Sequence, residues 1–545
     1  MAEATHNNGS GNLASHSRDN SDDTPLRSDF VVALEFGLFV TLLVTFGWFS
    51  LRFIDIPVTG TDGGNLLAIS RGLLGGDFDL LIQTQGPPLT ALVYAITLPH
   101  GDWLPLNLLS VLCGLVLAIG LAAFVYRFTG NLLLAVVPVF VLGVSPVYWT
   151  QHTSLSPYAA FTALAYLGSW LAISYAIGRS GLRTGMVGAI LLAASLYTFG
   201  QALAFFALPA LALFVLSWHR ETAVRLAQVY AALFVFTLPW MVWHLMVGGL
   251  GAFEDYPLNW LNQNYSDHID WFWGRAYYES WPDYIAKVVS VLGRDLLPKW
   301  MWAIVPIGLV CTWMTYGWRY AVFAVLALIV LSAPVMMRTS PVFARYWYDC
   351  LPVLALLVTA AAQSAMRLMP PRSQMMIVSI VAMGLFGQAE LAANDAYNWN
   401  VGRHNQRNAD LELFASVIDD SRGIIARDSR IQAMAPKNPM FNNITLTESE
   451  MATYLSWMSS EDVRNVFERH GIGWVLLYND TQRWEIDYNL WLQTSLGRYP
   501  KHYENIEVSG LVETAYRGNE MTLYKLVPMS GSGAEVLSLS TPEER

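Results

Sequence analysis

Several groups able to do chemistry stand at the edges of apolar segments in this 545-residue sequence. Asp62, in Thr-Asp-Gly-Gly-Asn, follows the apolar run 30–51 by about ten residues. A carboxylate there could take a proton as a general base, or cap the helix that follows, and the two roles are compatible. Arg345 and Tyr346 precede an apolar run that contains Pro352. A guanidinium stays charged and forks onto phosphate oxygens, while Arg, Tyr and Trp before a span also form a belt that sets its depth. Arg71, Arg338 and His152 are reserve cationic or hydrogen-bonding groups. The loop 249–297 interleaves Trp and Tyr with acids and amides, which suits a sugar's C–H face and hydroxyls and equally suits anchoring at lipid headgroups. Within it Asp267, His268 and Asp270 have metal-ligand chemistry but no fourth ligand, so no metal is expected.

The elements that must position these groups are apolar. Hydrophobic residues make up 54% of the chain and charged residues 14%, against about 25% charged in a soluble domain. Mean hydropathy is +0.36. Soluble, disordered and coiled-coil classes are thereby excluded, and the formal charge of −10 argues against nucleic-acid binding. That charge is confined to the ends: residues 1–29 balance to −3, residues 394–545 to −7, and residues 30–393 to zero. Three cysteines make no disulfide framework.

A bilayer core of about 30 Å needs about 20 apolar residues in a helix. Runs of that kind lie at 30–51, 103–125, 131–149, 154–178, 185–199, 201–217, 226–247, 299–316, 320–336, 346–365 and 375–393, with the stretch 185–217 open to another division around Gly200. About eleven spans are expected. With the N-terminus inside, Arg127, Arg179, Arg183, Arg220, Arg225, Arg319, Arg367 and Arg372 share short inner loops with one acid, Glu221. Basic residues in short loops set orientation, so the chain is read as a multi-pass protein of the cell membrane, N-terminus cytoplasmic and C-terminus outside. The segments 52–102, 249–297 and 394–545 then face outward.

In the first of these, Asn65–Leu74 has helical apolar spacing, and Pro87-Pro88 opens a second apolar stretch over 89–98. Both read as interfacial helices. The segment TDGGNLLAISRGLLGGDFDLLIQTQGPPLTALVYAI resembles the first external loop of the GT-C fold polyprenyl-phosphate-sugar-dependent glycosyltransferases, a superfamily that includes protein O-mannosyltransferases and aminoarabinose transferases. Asp62 falls on the first acid of that family's acidic pair, Arg71 and Gly75-Gly76-Asp77 on the end of its interfacial helix, and Pro87-Pro88-Leu89 on its Pro-Pro-Leu. Gly63 replaces the second acid and Gly86 the lysine before the proline pair. The outer end of the fourth span, QHTSLSPYAAF, lacks a further acid found in many members.

The resemblance implies a displacement at a sugar's anomeric carbon, with an acceptor hydroxyl attacking and polyprenyl phosphate leaving. Asp62 is then the general base, and Arg345 with Tyr346 supports the leaving phosphate, Arg71 and His152 being further substrate-binding candidates. It implies no cofactor. The expected partners are a polyprenyl-phosphate-linked sugar, a glycan, lipid or protein acceptor, and membrane lipids. Two other readings stay open: a secondary transporter or lipid flippase, which would place polar residues at mid-membrane, and a glycan polymerase or ligase, whose donor carries a whole chain.

Residues 394–528 alternate helix-like and strand-like pieces. Arg422–Arg427 and Gly473–Tyr478 read as buried strands, Ser460–His470 as an amphipathic helix, and ETAYRGNEMTLYKLV as two strands about a turn at Gly518-Asn519. A small extracytoplasmic α/β domain is expected, without a G-x-G-x-x-G, P-loop or G-x-S-x-G motif. It would cover the active site or hold the acceptor. Residues 1–29 and 529–545 read as disordered tails flanking the transmembrane module 30–393 and this domain.

Overall fold

The computed structural model describes residues 29–52, 66, 69–70, 73–74, 76, 88–97, 104–153, 156–198, 200–248, 281–336, 344–402, 405–426, 428, 431–435, 437–441, 446, 449–450, 453–454, 459–479, 506 and 508–527. Each apolar run falls on helix. In chain order these are α1 (Asp29–Arg52), α2 (Pro88–Thr97), α3 (Leu104–Thr129), α4 (Leu132–Gly143), α5 (Pro146–His152), α6 (Pro157–Ala176), α7 (Leu182–Thr198), α8 (Leu203–Leu216) and α9 (Arg220–Gly248). From residue 281 come α10 (Trp281–Val291), α11 (Lys299–Tyr316), α12 (Trp318–Met336), α13 (Leu351–Arg367) and α14 (Pro371–Gly402).

Four segments among the described residues are single helices long and apolar enough to cross a membrane, and two more qualify as bent pairs. The outward faces are apolar too, with Val44, Trp48, Phe214, Phe234, Val310 and Trp313 exposed. Water would penalise that surface and hydrocarbon solvates it, which makes the helical body a membrane protein.

The expected span 131–149 is interrupted. α4 and α5 meet at 80°, because a residue before proline is pushed out of helical geometry, and Ser145 ahead of Pro146 is extended at φ −89°, ψ 114°. Hydropathy is continuous across that junction and does not register it. The indole N–H of Trp149 donates to the Gly143 carbonyl at 2.6 Å and holds the bend. The expected run 346–365 also changes character, since Ala344–Cys350 is a 3₁₀ turn and the α-helix begins only at Leu351-Pro352. The division left open around Gly200 falls at a 3₁₀ turn, Gly200–Ala202, between α7 and α8.

Helix contacts run through small residues. A methyl on Gly188 would lie 2.7 Å from the Ala172 backbone nitrogen, and one on Gly168 would lie 2.8 Å from that of Leu192, so α6 and α7 pack backbone against backbone. Of the expected interfacial helix 65–74, Leu66, Ile69, Ser70, Leu73 and Leu74 are described and helical, and Ile69 packs on Ala91 of α2.

α14 runs past residue 394, so one helix joins the apolar body to the domain behind it. Beyond α15 (Asn405–Val417) lie β1 (Gly423–Ala426), β2 (Met440–Phe441), α16 (Ser460–His470), β3 (Ile472–Tyr478), β4 (Val512–Arg517) and β5 (Met521–Leu526). The sheet order is β2-β1-β3-β5-β4, with β1 parallel to β2 and β3, and the β4–β5 hairpin antiparallel. The hairpin turn falls at Gly518-Asn519. Its Asn519, Glu520 and Met521 N–H groups donate to the Asp410 carboxylate at 3.0, 2.8 and 3.2 Å, which pins the turn to α15.

Candidate active site

The 3₁₀ turn Ala344–Cys350 is where the described polar groups of the bundle gather. Pro352 stands in the first turn of α13, where it needs no N–H partner and presets the helical φ. Just ahead of it Asp349 is fully buried. Its Oδ1 accepts from the Thr162 hydroxyl at 3.2 Å and its Oδ2 from the Gln201 amide at 2.7 Å, while its backbone carbonyl accepts from the Tyr166 hydroxyl at 2.5 Å. Thr162 and Tyr166 are four apart on α6, hence on one face. Tyr158, a further turn back, sets its ring 6.2 Å from that of Tyr346. Gln201, from the break between α7 and α8, also donates to the Tyr346 carbonyl at 3.2 Å. A buried carboxylate is costly in a bilayer unless its oxygens are satisfied, and these donors supply that.

The other side of the turn is held by His152 at the end of α5. Its Nδ1 lies 3.1 Å from the Ser110 carbonyl, which only accepts, so Nδ1 carries the proton and Nε2 takes the hydroxyl hydrogen of buried Tyr348. The ring also stacks on Tyr148 at 4.2 Å. α3 makes room for it with glycine: a methyl on Gly114 would lie 2.5 Å from His152 Nδ1 and 2.9 Å from the Tyr148 hydroxyl.

Arg345 and Tyr346, both half-buried, begin this clamped turn. The Arg345 guanidinium carbon stands 5.1 Å from the Tyr346 ring centre, and Nη2 donates to the Tyr346 hydroxyl at 3.3 Å. The turn thus presents a cation whose base is fixed from α3, α5, α6 and the Gly200–Ala202 turn. Preorganised cations of that kind suit an anionic group that develops charge during a reaction.

Of the residues singled out from sequence, His152, Arg345 and Tyr346 come together on this turn. His152 has both ring nitrogens engaged within the protein, which makes it a support for Tyr348. Asp62, Arg71, Asp77, Pro87 and Arg338 lie outside the described residues, as do Asp267, His268 and Asp270. Asp349, Gln201, Tyr348, Thr162 and Tyr166 were missed. A signal for Asp349 was present, since an acid set directly against the run Leu351–Leu357 has to be satisfied or functional.

In sequence, no family model and no curated protein matches the chain. In structure it superposes on ArnT from Cupriavidus metallidurans bound to undecaprenyl phosphate, with a TM-score of 0.61 at 14% identity, over 92% of this chain and 99% of that one. The chain shares the fold of ArnT. The apo form of the same protein gives 0.60 at 15% identity, over 91% and 98%. The archaeal oligosaccharyltransferase AglB from Archaeoglobus fulgidus, in complex with an inhibitory peptide and a dolichol-phosphate, gives 0.52 at 10% identity, over 88% of this chain and 72% of AglB. The expected GT-C architecture is therefore present as a fold, and the ArnT match takes in nearly the whole of both chains.

Proposed function

We propose that the protein is a membrane glycosyltransferase that moves a sugar from a polyprenyl-phosphate donor to an acceptor hydroxyl at the outer face of the membrane. The observation that carries this reading is the near-complete superposition on an ArnT structure holding undecaprenyl phosphate, in a chain whose Arg345–Tyr346 pair rests on a buried, hydrogen-bonded turn.

The acceptor oxygen attacks the anomeric carbon and its proton passes to the Asp62 carboxylate. The bond from that carbon to the phosphate oxygen breaks, and polyprenyl phosphate leaves with the electron pair. Arg345 meets the departing phosphate with a fixed fork of donors, and Arg71 supplies a second cation. Tyr346 holds the Arg345 guanidinium over its ring and by its hydroxyl. Asp349, Gln201 and His152 act through the turn and are positioning residues. General-base catalysis contributes about 10²–10⁴-fold, which sets the loss expected on removing the base. The α/β domain behind α14 covers the site or holds the acceptor. The likeness to AglB supports a second reading with the same bond chemistry, en bloc transfer of a lipid-linked glycan.

Mass spectrometry of lipid-linked sugars after inactivation of the protein separates the two. Accumulation of a monosaccharide-phosphate lipid supports the first reading, accumulation of a longer lipid-linked glycan the second, and an unchanged lipid-sugar pool refutes both.

A further inference from the structure

A partly open cavity of about 250 Å³ lies between α3, α6, α8, α11, α12 and α13. Its α13 wall runs from Val353 to Gln363, ten residues or about 15 Å of helix, away from the Asp349 turn and toward the opposite end of the bundle. Of the polar groups in its lining, the Ser169 hydroxyl and the Trp170 indole N–H are buried without a partner among the described residues, and several others are engaged. Thr129, Thr312 and Thr359 each donate to the carbonyl four residues back at 2.8 Å, and the Tyr316 hydroxyl donates to Gln363 at 2.5 Å. Apart from Ser169 and Trp170 the wall is predominantly hydrocarbon. An apolar cavity of about 150 Å³ already stays dry and takes up a small hydrocarbon, so this larger one is suited to an alkyl chain.

Four arginines neighbour lining residues toward the far end of the cavity. Arg127 precedes the lining residue Phe128, and its Nη2 donates to the Arg179 carbonyl at 3.3 Å. The Arg179 guanidinium carbon stands 4.8 Å from the centre of the Phe128 ring. Arg319 precedes Tyr320, also in the lining, and Arg367 lies one helical turn past Gln363. All four arginines are exposed, and none takes part in an ion pair among the described residues. An alkyl-shaped cavity ending in unneutralised guanidinium groups matches one ligand chemistry, a lipid with an anionic head at that membrane surface.

We infer that this end of the bundle binds an anionic glycerophospholipid, with an acyl chain in the cavity and the phosphate at Arg127 and Arg179. The phosphate end of this site is at the opposite end of α13 from the Asp349 turn, the cavity reaching back to Val353 and Tyr166, and the inference does not depend on the transferase reading. The chain would buttress α6 and α13, which carry Tyr166 and the turn it holds.

The test is native mass spectrometry of the full-length protein, delipidated in detergent and titrated with phosphatidylglycerol or phosphatidylcholine. One phosphatidylglycerol per chain is expected to be retained in preference to phosphatidylcholine. Arg127→Gln with Arg179→Gln should weaken phosphatidylglycerol retention about 25-fold, about fivefold per arginine, and leave phosphatidylcholine unchanged. Ala327→Phe, or Ala360→Phe if the first does not fold, fills the cavity and should lower retention of both lipids while the melting transition persists. Equal retention of the two lipids, unchanged phosphatidylglycerol binding in the double arginine variant, or retention of polyprenyl phosphate in its place from a mixture would each overturn the inference.

Discussion

Asp349→Asn probes the positioning turn with little change of volume. In the wild type the carboxylate accepts at both oxygens, from Gln201 at 2.7 Å and from Thr162 at 3.2 Å. The amide keeps one accepting oxygen and sets an N–H₂ against one of those donors. A buried donor left without its acceptor costs about 1–3 kcal/mol, and that is the expected loss of stability. The larger effect falls on activity. Gln201 also holds the Tyr346 carbonyl, so its release frees the base of the Arg345–Tyr346 pair. A misplacement of about 1 Å at a reacting centre costs about 10²-fold, and turnover should fall by roughly that factor. The assay compares transfer from the purified polyprenyl-phosphate sugar, alongside thermal unfolding in the same detergent. Thr162→Val and the double variant complete a cycle, in which the pair should couple by about 0.5–3 kcal/mol. Asp349→Asn with wild-type turnover and unfolding temperature would refute the reasoning, as would additive effects in the cycle.

Other consequences are open to measurement. Gly188→Ala places a methyl 2.7 Å from the Ala172 nitrogen and must part α6 from α7, with an expected loss of about 1–3 kcal/mol in thermal unfolding. Gly114→Ala drives a methyl against His152 Nδ1 and should reduce both stability and transfer, whereas Gly37→Ala, with open space around it, should change neither. In the α/β domain, burial pushes the Asp420 carboxyl up, but hydrogen bonds from the Trp474 indole and from the Arg422 backbone and guanidinium outweigh it and hold the carboxyl below its ordinary value. A depressed carboxyl stabilises fully above its unfolded value and loses that contribution as pH falls through the folded one. The protection factors of the β1 and β3 amides, taken against the unstructured exchange rate at each pH, should therefore fall below about pH 4, and Asp420→Asn should remove that acid step.

The parts of the fold that depend on neighbours in sequence were legible. Helix 460–470, the strands around Ile424 and Val475 and the turn at Gly518-Asn519 each follow from a local period or a turn dipeptide, and the structure has them at those positions. Hydropathy alone located the apolar helices but not the corner at Ser145, since a bend removes no apolar residue. The Asp349 cluster was not legible for another reason. Thr162 and Gln201 lie 187 and 148 residues away in the chain, and no spacing rule reaches across several helices to bring them together. Arg345-Tyr346 could be picked out because a cation and an aromatic stand directly before an apolar run that contains Pro352, while the residues that hold the pair in place come from elsewhere.

The central claim is transfer from a polyprenyl-phosphate sugar with Asp62 as the base. Its most direct test is the release of polyprenyl phosphate by the purified protein in nanodiscs, wild type against Asp62→Asn. The wild type should release polyprenyl phosphate coupled to glycosylated acceptor. The variant should lose about 10²–10⁴-fold at unchanged unfolding temperature. Full release by Asp62→Asn would contradict it.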